Sequence, residues 1–273
     1  MAVKSIEIDG AKWNVIDQGE GEIILLIHGF PLDHTMWSGQ IEDLSSEFRI
    51  IAPDLAGFGK SELHERQKSD ARDQTTIRQM ADEVAMLLDK LGVDEPVTYC
   101  GLSMGGYIGW EFFRHYRDKI RRLIAVDTRA VADEPQVVRG RATVAKLVLE
   151  KGSRQLVRPM SRRLFSMATL ANRRELAQSA RDTIAACDPR AAAAGSYAMG
   201  SRADSSDLLQ SIDCPTLVVV GELDVISTPE EMKGIADAIP GAVFETIIDA
   251  GHLAPMERPV IFNEIVRKFM ART

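Results

Sequence analysis

The stretch VTYCGLSMGGYIGWEFF, residues 97–113, divides into an apolar half, Val97–Cys100, and a half that opens a run with helical spacing, Met104–His115. One serine, Ser103, stands at the junction between Gly101 and Gly105. A strand that turns straight into a helix holds its junction residue at positive φ. A non-glycine residue stays there only when its surroundings enforce it. The residues two positions away must then be tiny, because strand and helix backbones nearly touch, and Gly101 and Gly105 supply that clearance. The serine hydroxyl is left open at the carboxyl end of a strand, with the first N–H groups of the new helix aimed at whatever reacts there. Gly101-Leu102-Ser103-Met104-Gly105 therefore reads as a G-x-S-x-G nucleophile elbow. The motif demands a strand before it, a helix after it, and an acid and a histidine further along.

Working outward, strand-length apolar segments recur at Ile6–Ile8, Trp13–Asp17, Ile23–Ile27, Ile50–Ala52, Leu123–Val126, Leu217–Val220 and Val243–Ile248. The first two are joined by Asp9-Gly10, a hairpin signal. Ile23–Ile27 is an unbroken apolar run, as expected of a strand buried on both faces. Helical periodicity marks Thr76–Leu91, Pro229–Ile239 and Val260–Met270. Strands alternating with helices predict a mostly parallel sheet built from βαβ units. The alternation stops after Asp127. From there to Asp207 only helix-like runs occur: Val137–Lys151, Ser153–Met167, Arg173–Ala186 and Arg190–Met199. The expected organisation is an α/β core from residues 1–128 and 208–273, with a helical cap, 129–207, over the carboxyl ends of the strands. Active sites of open α/β sheets lie at those ends.

The chain has 273 residues, 45% of them hydrophobic, enough for one large α/β domain with an insertion. A net charge of −7 argues against a nucleic-acid partner. The N-terminal MAVKSIEIDG lacks a basic region followed by an apolar one, and the longest apolar runs are too short to span a bilayer, so no leader and no membrane partner are expected. Cys100, Cys187 and Cys214 form no C-x-x-C pair. No disulfide framework or metal site is expected, and a cytoplasmic setting fits. The charge is unevenly spread. Residues 129–202 carry twelve Arg and two Lys against six acidic residues, a net of +8, which leaves −15 for the rest. Such a segment would attract a carboxylate-bearing substrate or an acidic carrier protein. The plainer reading is that the arginines solvate exposed helix faces.

The acid and the histidine follow in order. Asp224, in VVVGELDVIS, lies four residues past one buried strand, and His252, in TIIDAGHLAPME, four past the last. The order Ser103, Asp224, His252 is nucleophile, acid, base. Asp127, which also ends a strand, is the rival acid. Asp249 lies too close along the chain to His252, and Asp54 suits a loop brace. His28 reads as a hydrogen-bonded structural histidine, while His64 and His115 need only surface roles. An acyl-transfer site also requires oxyanion donors. The N–H of Met104 and that of Phe30, in HGFP before Pro31, are the candidates. Trp37, Tyr107 and Leu253 flank these positions and are candidate substrate contacts, though Trp37 and Tyr107 suit a core role equally well.

These blocks, HGFPLDHTMW, APDLAGFGKSE, GLSMGGYIG, PTLVVVGELDVISTPE and DAGHLAPMERP, resemble the α/β-hydrolase family in family order and over nearly the whole chain. Within it they resemble 3-oxoadipate enol-lactonases and small bacterial carboxylesterases or arylesterases. The resemblance implies an eight-stranded sheet, a helical cap, a triad on Ser103, His252 and Asp224, no cofactor, and a small-molecule ester or lactone substrate. Relatives with an aspartate nucleophile are disfavoured by Ser103. Three alternatives stay open: an enol-lactonase acting on a carboxylate-bearing lactone, a cofactor-free perhydrolase or haloperoxidase, and a non-catalytic ligand-binding member of the fold. Oligomeric state is not legible.

Overall fold

The computed structural model describes residues 3–69 and 75–273. Residues 1–2, which begin the stretch read above for a leader, lie outside them. Eight strands form one sheet among the described residues: β1 (Val3–Ile8), β2 (Ala11–Gln18), β3 (Ile23–Ile27), β4 (Arg49–Pro53), β5 (Val97–Leu102), β6 (Ile120–Val126), β7 (Thr216–Gly221) and β8 (Val243–Ile247). Their order is β1-β2-β4-β3-β5-β6-β7-β8. β1 with β2, and β2 with β4, pair antiparallel, and every later pair is parallel. Every residue of β3, β5 and β7 is buried, as their continuous apolar runs require of strands covered on both faces. The edge strand β1 is mostly exposed and β8 half-buried.

The helices are α1 (Ser38–Leu44), α2 (Glu65–Ser69), α3 (Ile77–Lys90), α4 (Met104–His115), α5 (Pro135–Lys151), α6 (Arg154–Leu164), α7 (Met167–Asn172), α8 (Arg174–Ala186), α9 (Pro189–Gly200), α10 (Pro229–Ala238), α11 (Ala254–Glu257) and α12 (Pro259–Met270). α3 follows its sequence signal closely. Thr76 caps it, its hydroxyl accepting the Gln79 N–H at 3.1 Å while the Gln79 side chain accepts the Thr76 N–H at 2.8 Å. Such a capping box contributes about 1 kcal/mol. Ile77, Met80, Ala81, Val84, Leu87 and Leu88 are buried.

Helices α5 to α9 fall between β6 and β7 in the chain, where the alternation breaks. The helix expected over Ser153–Met167 ends early: α6 stops at Leu164, and a separate helix, α7, begins at Met167. The reason lies outside the segment, in the loop after β8. The Leu253 N–H donates to the Leu164 carbonyl at 3.1 Å, and the Glu257 carboxylate accepts the N–H and hydroxyl of Ser166 at 3.0 and 2.8 Å. Ser166 then caps α7 through its hydroxyl, which accepts the Thr169 N–H. Those tertiary bonds satisfy the groups that a continuous helix would have paired internally. Residues 34–44 carry no helix assignment from the sequence, yet they form a 3-10 turn, His34–Trp37, capped by Asp33, and then α1.

Candidate active site

Ser103 follows β5 directly and caps the start of α4 with φ 54° and ψ −111°. A residue so placed stores about 1–3 kcal/mol of strain. Its neighbours enforce the geometry. The Ser103 N–H donates to the Val126 carbonyl of β6 at 3.0 Å, and the Ser103 carbonyl accepts from Gly106 N, Tyr107 N and Thr128 Oγ1 at 2.9, 3.1 and 2.8 Å. A Cβ on Gly101 would overlap the Gly105 carbonyl, so strand and helix do nearly touch there. Gly105 answers to a different neighbour. A Cβ on it would meet the Ile27 carbonyl of β3, so that glycine lets the helix start pack against the adjoining strand.

Asp224 and His252 are brought together by the loops after β7 and β8. The Glu222 N–H donates to the Ile247 carbonyl and the Leu223 N–H to that of Ala250, at 2.9 and 2.8 Å. The loops lie so close that a Cβ on Gly221 would overlap the Gly251 carbonyl. Glu257, fully buried, accepts the Gly251 N–H at 2.7 Å and braces the residue before His252. The result is a hydrogen bond of 2.8 Å between His252 Nδ1 and Asp224 Oδ2. Asp224 also accepts from the N–H groups of Ile226 and Ser227 and from the Ser227 hydroxyl, at 2.7, 3.3 and 2.8 Å. Burial alone would raise its pKa. The His252 charge and these donors outweigh burial and hold the carboxyl below its ordinary range. Asp224, and not Asp127, makes the hydrogen bond to His252.

Ser103 and His252 line a common cavity of about 510 Å³. Phe30 and Tyr107 line it too, with Val144, Leu156 and Met160 from α5 and α6 opposite. Three arginines, Arg129, Arg141 and Arg163, contribute to the wall, and among the described residues no aspartate or glutamate does. Arg141 is paired with Asp133 and Arg129 with Glu231. Arg163 has no carboxylate partner among the described residues. Tyr107 is held by the guanidinium of Arg202, 4.2 Å from its ring centre. Among the described residues the Phe30 N–H has no backbone acceptor. Met104, as the first residue of α4, has no intrahelical acceptor for its own.

Two candidate contacts lie elsewhere. Trp37 is fully buried against Phe262, ring centres 6.1 Å apart, and is a core residue. Leu253 is fully buried, its backbone spent on tying the β8 loop to Leu164. Both stand near catalytic candidates along the chain, but neighbouring side chains on a turn point in different directions. Ser227 and the three cavity arginines were missed individually. The only signals for them were the hydroxyl three residues after Asp224 and the basic charge of 129–202.

The remaining histidines have other partners. His28 donates from Nδ1 to the Gly29 carbonyl and accepts the Leu55 N–H at Nε2, both at 3.0 Å, and burial keeps it neutral. His64 and His115 pair with Glu83 and Glu111. His64 is buried, however, and not at the surface as expected. Asp54 accepts from His34, Asn14 and Lys60 and braces its loop. Among the described residues, two groups of carboxylates and imidazole stand close enough to hold an ion, Asp33–His34–Asp54 and Asp127–Asp224–His252. In both, the imidazole Nδ1 is already engaged by an aspartate oxygen, at 2.6 and 2.8 Å. No helix of the described residues is long and apolar enough to cross a membrane.

Comparison with known proteins extends this picture. The chain is 39% identical to a thermophilic esterase from Thermogutta terrifontis, whose malate-bound structure it matches with a TM-score of 0.94 over 100% of this chain and 99% of that one. It is 28% identical to the enol-lactonase from Burkholderia xenovorans LB400, with a TM-score of 0.87 over 97% and 98% of the two chains. By sequence it is 26% identical to 3-oxoadipate enol-lactonase 2 of Acinetobacter baylyi over 93% of this chain and 91% of that protein. A family description of the alpha/beta hydrolase fold matches residues 22–259, and the chain belongs to that family.

Proposed function

We propose that the protein is a serine hydrolase that cleaves a carboxylic ester or lactone through an acyl-enzyme. Ser103 is the nucleophile, His252 the general base and acid, and Asp224 the residue that orients His252. The observation that carries this reading is the 2.8 Å bond between His252 and Asp224 at the wall of the cavity into which Ser103 opens. His252 Nε2 takes the Ser103 proton as the hydroxyl attacks the carbonyl carbon. Asp224 holds the proton-bearing Nδ1 toward itself, which leaves Nε2 as the acceptor, and stabilises the imidazolium that forms. The N–H groups of Phe30 and Met104 receive the oxyanion, a contribution of about 3 kcal/mol for each donor. His252 then protonates the leaving alkoxide. Water, deprotonated by His252, releases the acid and restores Ser103.

The test is intact-mass spectrometry after a fluorophosphonate, with p-nitrophenyl acetate turnover alongside, on wild type and Ser103→Ala. One adduct and turnover in the wild type, both lost in a folded variant, are expected. A variant that keeps near-normal turnover would overturn the assignment of the nucleophile.

A second reading narrows the substrate to a carboxylate-bearing ester or lactone. Three arginines and no acid on the cavity wall favour it. Of the three, Arg163 is the one with no carboxylate partner among the described residues. The malate of the Thermogutta terrifontis esterase is a dicarboxylate, in keeping with such a wall. Arg163→Gln is expected to raise KM about tenfold for a carboxylate-bearing lactone and to leave a neutral ester of similar size almost unaffected. An equal effect on both substrates would remove the basis for this narrower reading.

A further inference from the structure

Asp127 follows β6 beside the pair formed by Asp224 and His252, and the proposed mechanism gives it no task. It is fully buried and adopts φ 43°. Its N–H donates to the Val219 carbonyl, and its Oδ1 accepts the Gly221 N–H at 2.8 Å. Its other oxygen, Oδ2, is buried and accepts no hydrogen bond of normal geometry. A polar atom from each of Asp127, Asp224 and His252 lies within 4.8 Å of the other two. Two carboxyls so close in a buried site do not both ionise.

Which of them keeps the proton is decided by counting donors. Asp224 accepts from Ile226 N, Ser227 N, the Ser227 hydroxyl and His252 Nδ1. Asp127 accepts one hydrogen bond of normal geometry, from Gly221. The negative charge belongs where the donors are, on Asp224. The charged groups facing Asp127 are Asp224 from the β7 loop and His252 from the β8 loop. The elbow and α10 face this turn with Ser103, Gly106 and Met232, none of them charged.

We propose that Asp127 is a neutral carboxylic acid that donates a hydrogen bond from Oδ2 to Asp224 and so positions the acid of the triad behind His252. The proposal rests on the reading of Ser103, His252 and Asp224 as a catalytic unit. It accounts for the unpaired oxygen, since Oδ2 is then a donor and not an orphaned acceptor. Burial first, and the neighbouring Asp224 second, raise the Asp127 carboxyl well above the ordinary carboxylate range. The N–H groups of Gly221 and Ala254 offset this only in part. Asp127 is a positioning residue: it touches neither Ser103 nor the substrate in this mechanism, and acts through Asp224. By lending a donor it fixes the Asp224 carboxylate in plane with the imidazole.

The test uses readouts that do not need turnover. The infrared spectrum near neutral pH should contain the carbonyl band of a protonated carboxyl in wild type, and Asp127→Asn should lose it. In the same two proteins NMR should follow the His252 imidazole through its titration. Asparagine keeps the acceptor toward Gly221 and a donor toward Asp224, so the midpoint should move by no more than a few tenths of a pH unit. If Asp127 were an anion, the substitution would remove a negative charge beside the imidazole and lower the midpoint by about one pH unit or more. That shift, or the absence of the infrared band from wild type, would overturn the proposal. Kinetically, Asp127→Ala should lower kcat about tenfold or more with little change in KM, and Asp127→Asn should recover most of the loss. Equal kcat in wild type and a folded Asp127→Ala would remove the positioning role. Should Asp127→Ala not fold, the two spectroscopic measurements decide. Failure of Ser103 to take up a fluorophosphonate would count against the proposed function and not against the protonated Asp127.

Discussion

Among the described residues two clusters hold the same three groups, two aspartates and a histidine, and both lie beyond strands at the carboxyl edge of the sheet. In one, His34 Nδ1 bonds Asp54 Oδ1 at 2.6 Å, with Asp33 beside them. In the other, His252 Nδ1 bonds Asp224 Oδ2 at 2.8 Å, with Asp127 beside them. Measured by the pair alone, the two are nearly the same object. They differ in what surrounds the pair. Asp54 accepts from the backbone N–H groups of His34 and Lys60 and from the Asn14 amide of β2, and so ties its loop to the turn after β3 and to the neighbouring strand. Asp33 is partly exposed and caps the turn after it. His252 instead lines a cavity that Ser103 also lines, and Asp127 is sealed from water. An Asp–His pair is a brace when every group beyond it is satisfied. It becomes chemically useful when the far nitrogen faces a cavity with a nucleophile.

The comparison breaks most sharply at Ser103, which has no counterpart in the His34 cluster. Ser103→Ala is expected to lower kcat on the order of 10⁵-fold or more, and turnover close to wild type would mean that the two clusters are not functionally distinct. Next comes a matched pair of substitutions. Asp224→Asn should cost about 10⁴-fold in kcat with little loss of stability, because the imidazole loses its orienting partner. Asp54→Asn should leave kcat intact and lower stability by about 1–3 kcal/mol, read by chemical denaturation. If both variants lost activity equally, the distinction between brace and catalytic pair would fail.

The smallest effect concerns pH. Burial alone would lower the His34 pKa, but the hydrogen bond to Asp54 and its charge raise it above the ordinary 6.5. A raised histidine pKa contributes stability that is complete below 6.5 and is lost as pH rises through the folded-state value. Burial acts to raise Asp54, but the hydrogen bond to His34 and its charge, together with the N–H groups of His34 and Lys60, outweigh it, so Asp54 lies below the ordinary 3.8. Its contribution is present above 3.8 and is lost as pH falls through its folded-state value. His34→Gln should therefore destabilise the protein more at mildly acidic than at alkaline pH. A loss that does not change with pH would mean that His34 is not charged in the folded protein.

How much of this was legible in advance differs from element to element. The elbow was legible because its reason is local: a strand-to-helix turn needs small residues around Ser103, and φ 54° with Gly101 closed against Gly105 is that reason made visible. The buried strands were legible from unbroken apolar runs such as Ile23–Ile27, since burial on both faces leaves no polar alternation. The position and order of Asp224 and His252 were legible because a parallel sheet delivers every strand end to one edge. The break between α6 and α7 was not legible, because the groups that cause it, Leu253 and Glu257, come from the far end of the chain. Nor could sequence place Trp37 in the core, or separate the arginines that line the cavity from those that solvate helix faces.

The sequence by itself thus determined the fold family, the strand ends and the residue types that meet there, because strand periodicity and turn sterics act over a few residues. Only the tertiary structure decided which aspartate bonds His252 and which of the other residues reach the cavity. Those outcomes depend on contacts between segments far apart in the chain, such as the bond from Gly221 to Asp127, spanned by 94 residues, that sets the two carboxyls side by side, or the one from Ser166 to Glu257, spanned by 91, that stops α6.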